Sequence, residues 1–233
     1  MSRLAGLLRN NDLNSTTEEQ IMNRIAAIVA LAGVAVASAS ASIVKVEVNG
    51  TVDYNFVGGG HANVQAGDAV SMSFLVDSEN YVNSASFPTR GYTVDLASFE
   101  MTVGSSYITL DNPQPFGPAY FVVRNNDPVA DGFMLSRNID FPQDVQVHVP
   151  GLTPTHDLHF LATYGSSDTI PSLDILDAVG TYDLNGISVY GWYIGRFGGI
   201  GAEYAYESIT ISVVPAPATL ALLVPLAAAR RRR

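Results

Sequence analysis

Val70-Ser71-Met72-Ser73-Phe74-Leu75-Val76 alternates strictly, with Val70, Met72, Phe74 and Val76 on one side of the chain. A period of two places side chains on opposite faces of a β-strand, so the even positions face a core. Val145-Gln146-Val147-His148-Val149 and Ile209-Thr210-Ile211-Ser212-Val213 repeat the pattern. Working outward, further strands are expected at 43–49, 51–57, 92–103, 107–110, 119–124, 133–137, 158–163, 187–197 and 203–208. Turn chemistry separates them: Asn49-Gly50, Gly58-Gly59-Gly60, Ala66-Gly67-Asp68, Asp111-Asn112-Pro113, Asp131-Gly132 and Asn185-Gly186. Pro171 to Val179, with Ser172 as N-cap, is the one place that suits a short helix. The expected architecture is all-β, an antiparallel sandwich of jelly-roll type over 42–213. No internal repeat of solenoid or propeller period is present.

The two ends read differently from this body. Met22-Asn23-Arg24 is a short basic region, and Ile25 to Val36 is an apolar run of signal-peptide length. It closes on Ala37-Ser38-Ala39-Ser40-Ala41, which offers cleavage after Ala39 or after Ala41. A signal peptide over 22–41 leaves 1–21 as an upstream extension or a mis-assigned start, since its polar residues and Glu18-Glu19 serve no signal. At the other end, Val214-Pro215-Ala216-Pro217-Ala218-Thr219 leads into an apolar stretch and then Arg230-Arg231-Arg232-Arg233. From Ala216 to Ala229 there are 14 residues, interrupted by Pro225. That is shorter than the roughly 20 a membrane-crossing helix needs. The terminal arginines would stay on the cytoplasmic side. The expectation is therefore a body flanked by a signal helix and a short hydrophobic C-terminal helix.

The order Pro-x-Pro-Ala-Thr-Leu, apolar stretch, arginine cluster over 214–233 resembles the PEP-CTERM sorting signal. Here Pro215-Ala216-Pro217 replaces the usual Pro-Glu-Pro. The resemblance covers about 20 residues and implies processing by an exosortase-like membrane enzyme, after signal peptidase has acted at the other end. It also implies a destination in the cell envelope or the exopolysaccharide, with the C-terminus anchored transiently or permanently. Gly67-Asp68-Ala69-Val70, followed by Phe74, loosely resembles bodies that carry this tag.

Charge narrows the function. The body holds five basic residues against 14 Asp and five Glu, a net charge of −14, while the whole chain carries −10. A field of that sign disfavours nucleic acid and anionic lipid. The absence of cysteine excludes disulfides and thiolate zinc sites.

Candidate chemistry is sparse. His156-Asp157-Leu158-His159 has its histidines three apart where a strand begins, so they point to opposite faces and make no metal pair. His61 and His148 stand alone, and His148 alternates with valines. No G-x-S-x-G elbow is present, and Gly165-Ser166-Ser167 is turn composition. Calcium is the cation the loops suit, with no other cofactor indicated. Asn125-Asn126-Asp127 with Asp131 offers one group of hard oxygens, and Ser167-Asp168 with Asp174 and Asp177 a second. A solvated Asn/Asp turn is the simpler reading of both.

Tyr190 and Trp192 share one strand face, which if exposed is a platform for sugar rings and if buried is core. Three functions follow in order. The first is a non-enzymatic, exported envelope or matrix protein. The second is a carbohydrate-binding module that requires Trp192 exposed. The third is a secreted glycoside hydrolase that requires a cleft with two carboxylates about 5–10 Å apart.

Overall fold

The alternating stretch Val70–Val76 buries its even set, while Asp131–Ser136 is buried at every position, and the computed structural model shows what these faces enclose. It describes residues 41–215, apart from 154, 167, 197 and 198. The expected signal helix, residues 1–21, and nearly all of the C-terminal tag lie outside the described residues. No helix among the described residues is long and apolar enough to cross a membrane.

Among the described residues, twelve strands form one antiparallel sheet. The first four are β1 (Ile43–Asn55), β2 (Ala69–Asn83), β3 (Thr89–Val94) and β4 (Glu100–Val103). β5 (Ser106–Leu110), β6 (Tyr120–Arg124), β7 (Asp131–Ser136) and β8 (Val145–His148) are short. β9 (His156–Tyr164), β10 (Gly180–Asp183), β11 (Ile187–Arg196) and β12 (Gly199–Val213) complete it. The order β1-β12-β11-β9-β7-β6-β3-β2 closes because β2 pairs with β1. A second path, β2-β4-β5-β8-β9, closes on the same long strands.

The double closure comes from two long strands that each serve two short ones on a single edge. β2 pairs β4 through Val70–Ser73 and β3 through Val76–Asn83. β9 pairs β8 through His156–Leu158 and β7 through Leu135↔Phe160 to Asp131↔Tyr164. The sheet is thus barrel-like and closed, and the expected jelly-roll sandwich of two separate sheets is not formed. Closure pairs the strands of both paths on two sides, while β10 lies off them and pairs with β12 alone.

Three expectations about segmentation are also corrected. Asn49-Gly50 is no hairpin turn: β1 runs through it with a register shift against β12. A Cβ at Gly50 would lie 2.1 Å from the Ala205 carbonyl oxygen and 3.0 Å from Trp192 Cζ3. Glycine is therefore required by close packing rather than by a turn. The interval 92–103 breaks at a 3₁₀ turn, Leu96–Ser98, where Asp95 accepts a hydrogen bond from the Ala97 amide. Pro171 to Val179 forms turns instead of a helix. Ser172 is used as a local bridge, accepting from the Asp174 amide and donating to Asp177.

The even set of β2 faces inward as expected: Val70, Met72, Phe74 and Val76 are all buried. Phe74 stacks on Phe99 and tilts against Phe121, which stacks on Phe133. On the far side Phe160, Trp192 and Tyr204 pack edge to face, with Trp192–Tyr204 centroids 5.5 Å apart. Such pairs add about 0.5–1.5 kcal/mol each to their burial.

Candidate functional site

β2 loses its regular pairing at one point, and a cavity opens there. Val76 pairs Val94 and Tyr81 pairs Tyr92, so Asp77, Ser78, Glu79 and Asn80 stand opposite the single Thr93. On its other edge β2 keeps pairing with β1 as far as Ile43↔Asp77. Beside the bulge lies a cavity of about 440 Å³. It is lined by Ile43, Leu75, Asp77, Asn80, Thr93 and Asp95, among others. That volume falls within the range of small-ligand pockets, and an apolar floor with a few polar groups is their usual composition.

The polar groups are held by local bonds. Asp77 Oδ1 accepts from the Glu79 amide at 2.9 Å and Asp95 Oδ1 from the Ala97 amide at 3.1 Å. Thr93 Oγ1 donates to Asn80 Oδ1 at 3.4 Å. Ser78, 5% exposed, accepts on its Oγ from the Ser42 amide at 3.0 Å, and its own amide donates to the Ser42 carbonyl at 3.0 Å. On the other edge of β1, the Val214 amide donates to the Ile43 carbonyl at 2.8 Å. The cavity therefore adjoins the points where the chain enters and leaves the barrel. No family model matches this chain, and neither does any curated protein or solved structure.

The residues singled out from sequence divide clearly. Trp192 is 0% exposed and Tyr190 is 42% exposed at the rim of the same face. The flat glycan platform is therefore not formed, because the face they share points into the barrel. Trp192 packs against Phe160 and Tyr204, and Tyr190 lies 6.1 Å from the Tyr206 ring.

The two loops proposed for calcium do meet, but through main chain. Asp131 is 0% exposed; its Oδ1 accepts from the Asn126 amide at 2.8 Å and its Oδ2 from the Ile170 amide at 2.7 Å. Asn125 Nδ2 donates to the Ile170 carbonyl, joining the same loops. Asp127 turns to Arg124, 3.2 Å away, while Asp168 and Asp174 are exposed. Among the described residues no three metal-ligating side chains come together.

Ala41 and Pro215 are exposed at the edges of the described residues. Ala39, Ala216, Pro217 and Arg230 to Arg233 lie outside them. His156 turns inward and His159 outward, as the strand period requires. His159 stacks on Tyr193 with centroids 4.6 Å apart, and its Nδ1 lies 2.7 Å from Asp144 Oδ1. Tyr193 has its pKa raised by burial first, and then by the charges of Asp144 and Asp157.

Two groups were not legible as sites in the sequence. One is the cavity, whose only local signal is the polar run Asp77-Ser78-Glu79-Asn80 interrupting an alternating strand. The other is His61, a lone histidine after three glycines that proves to be 0% exposed. Its Nδ1 lies 3.1 Å from Ser106 Oγ and its Nε2 3.2 Å from the Tyr204 hydroxyl. Ser106 is 5% exposed, so this serine–histidine contact faces the core. A neutral imidazole offers one donor and one acceptor, which suits a hydroxyl on either side.

Burial, and then the nearby His156, push the His61 pKa down to about 4. In the unfolded chain it titrates near its ordinary value of 6.5. Between those values the unfolded state takes up a proton that the folded state refuses, so stability falls as pH drops through that window. The expected loss is about 3 kcal/mol. Urea midpoints at pH 7 and pH 4.5 should differ by much less in His61→Gln than in the wild type. An equal difference in both would remove His61 from the acid response.

Proposed function

We propose that this chain is an exported protein of the cell envelope or the exopolysaccharide matrix, non-enzymatic and sorted by its C-terminal tag. The observation that carries the reading is the ordered tail: Pro215-Ala216-Pro217, an apolar stretch, and Arg230 to Arg233, set behind a signal-type N-terminus. In this reading signal peptidase and an exosortase-like membrane enzyme are the processing partners. The exopolysaccharide is the environment that the acidic barrel meets.

The fold supports the reading in one respect. β1 and β12 are neighbours, paired from Val44↔Val213 onward, so Ser42 and Val214 lie at one pole of the barrel. Both strands complete their pairing within the described residues. Removal of either appended segment therefore leaves the barrel closed.

Mass spectrometry of the mature protein from its native host tests this. The expected result is an N-terminus at Ser40 or Ser42 and a C-terminus lacking Arg230 to Arg233. Recovery of the intact chain from a soluble fraction, with both ends retained, would overturn it.

A further inference from the structure

We infer that the bulge of β2 is a seat for the chain end that signal cleavage creates, and that cleavage falls after Ala41. The inference rests on the export reading and refines it, because Ala39 and Ala41 satisfy the small-residue rule equally. The fold distinguishes them. Among the described residues, Ser42 is the first to have both its amide and its carbonyl bonded. Its carbonyl accepts from the Ser78 amide in the manner of a strand pair, but its amide donates to the Ser78 side chain, not to a main-chain carbonyl. The β1–β2 ladder therefore ends at Ser42, and a side-chain oxygen closes it.

Cleavage after Ala41 turns that same nitrogen into the α-ammonium of the mature protein. Water attacks the Ala41 carbonyl, the Ala41–Ser42 amide breaks, and the leaving nitrogen takes up protons to become charged. The bond to Ser78 Oγ then becomes charge-assisted and roughly twice as strong as a neutral one. Neighbouring residues of the ladder and the bulge carry acidic side chains. Asp77 is the cross-strand partner of Ile43 and lines the adjoining cavity with Asp95, and Glu79 follows Ser78 in the bulge. Lys45 is the single lysine of the sequence, and it is committed to Glu47 at 2.7 Å. Cleavage after Ala39 would instead leave Ser40-Ala41 projecting from the seat, with the ammonium two residues away from Ser78.

The test uses mature protein recovered from its native host, with amine-selective labelling read by mass spectrometry as a function of pH. Ser42 is expected as the N-terminal residue. Its α-amine is expected to label about fivefold more slowly at pH 8 than an unstructured α-amine, the effect of a pKa raised by about one unit. Asp77→Asn should restore much of the rate without moving the cleavage point. Ser78→Ala should do the same through loss of the acceptor.

A mature N-terminus at Ser40, or a Ser42 amine that labels at the ordinary rate, would overturn the inference and leave the export reading standing. An unprocessed N-terminus would overturn both.

Discussion

Trp192→Ala is expected to lower the stability of the barrel by about 4 kcal/mol, the usual cost of emptying a fully buried aromatic site. The indole is 0% exposed, and it is boxed by Phe160, Tyr204 and the close approach of Gly50. The site cannot collapse easily, because Gly50 and Ala205 are held together by the β1–β12 ladder. Urea unfolding followed by far-ultraviolet circular dichroism would measure the loss as a lower midpoint at unchanged slope. Trp192→Phe should cost less. The indole Nε1 has no hydrogen-bond acceptor among the described residues, so phenylalanine removes an unpaired donor along with the lost volume. A glycan platform would behave in the opposite way: Trp192→Ala would change stability by less than about 0.5 kcal/mol, as at an open surface, and would abolish sugar binding.

Asp131→Ala should be of similar size, about 4 kcal/mol, by a different route. Each carboxylate oxygen accepts from a main-chain amide, one from the loop after β6 and one from the loop after β9. Removing the side chain leaves the Asn126 and Ile170 amides without acceptors, at about 1–3 kcal/mol each. It also releases the contact that fixes the two loops together. Asp131→Asn should recover part of this, since an amide oxygen can serve only one of the two donors. The wild-type midpoint is expected to be the same with and without a calcium chelator, because Asp131 is fully buried and each of its oxygens already accepts from a main-chain amide. A midpoint that falls on chelation, and no longer does so in Asp131→Asn, would show that these loops bind the ion after all.

The two variants mark the limit of local reading. Alternation in Val70–Val76 was enough to set which residues of β2 turn inward, because period two is a property of the extended backbone alone. The same rule placed Tyr190 and Trp192 on one face and His156 and His159 on opposite faces. It could not say which face of β11 is the interior, since a strand is symmetric in this respect until its neighbours are known. The aspartates were legible as loop ligands, but not what they bind. An Asn125–Asp131 loop offers oxygens equally to a cation and to amides that arrive from residue 170.

Asn49-Gly50 failed for the same reason. The dipeptide carries the chemistry of a tight turn, yet the glycine answers to Trp192 and Ala205, about 140 and 155 positions further along. The cavity and His61 were hidden because both depend on partners distant in sequence: Thr93 and Ser42 for the bulge, Ser106 and Tyr204 for the imidazole.

Sequence alone therefore determined that the body is β throughout, that it is strongly acidic, and that both ends carry segments of another character. These are properties of composition and of short-range periodicity. Tertiary structure decided the rest. It closed the sheet twice over on β2 and β9, where a sandwich was expected, and turned Trp192 inward. It also brought Ser42, Ser78 and Val214 together at one pole. Each of these outcomes is a pairing between strands far apart in the chain, and the energy that selects it belongs to the pair and not to either segment.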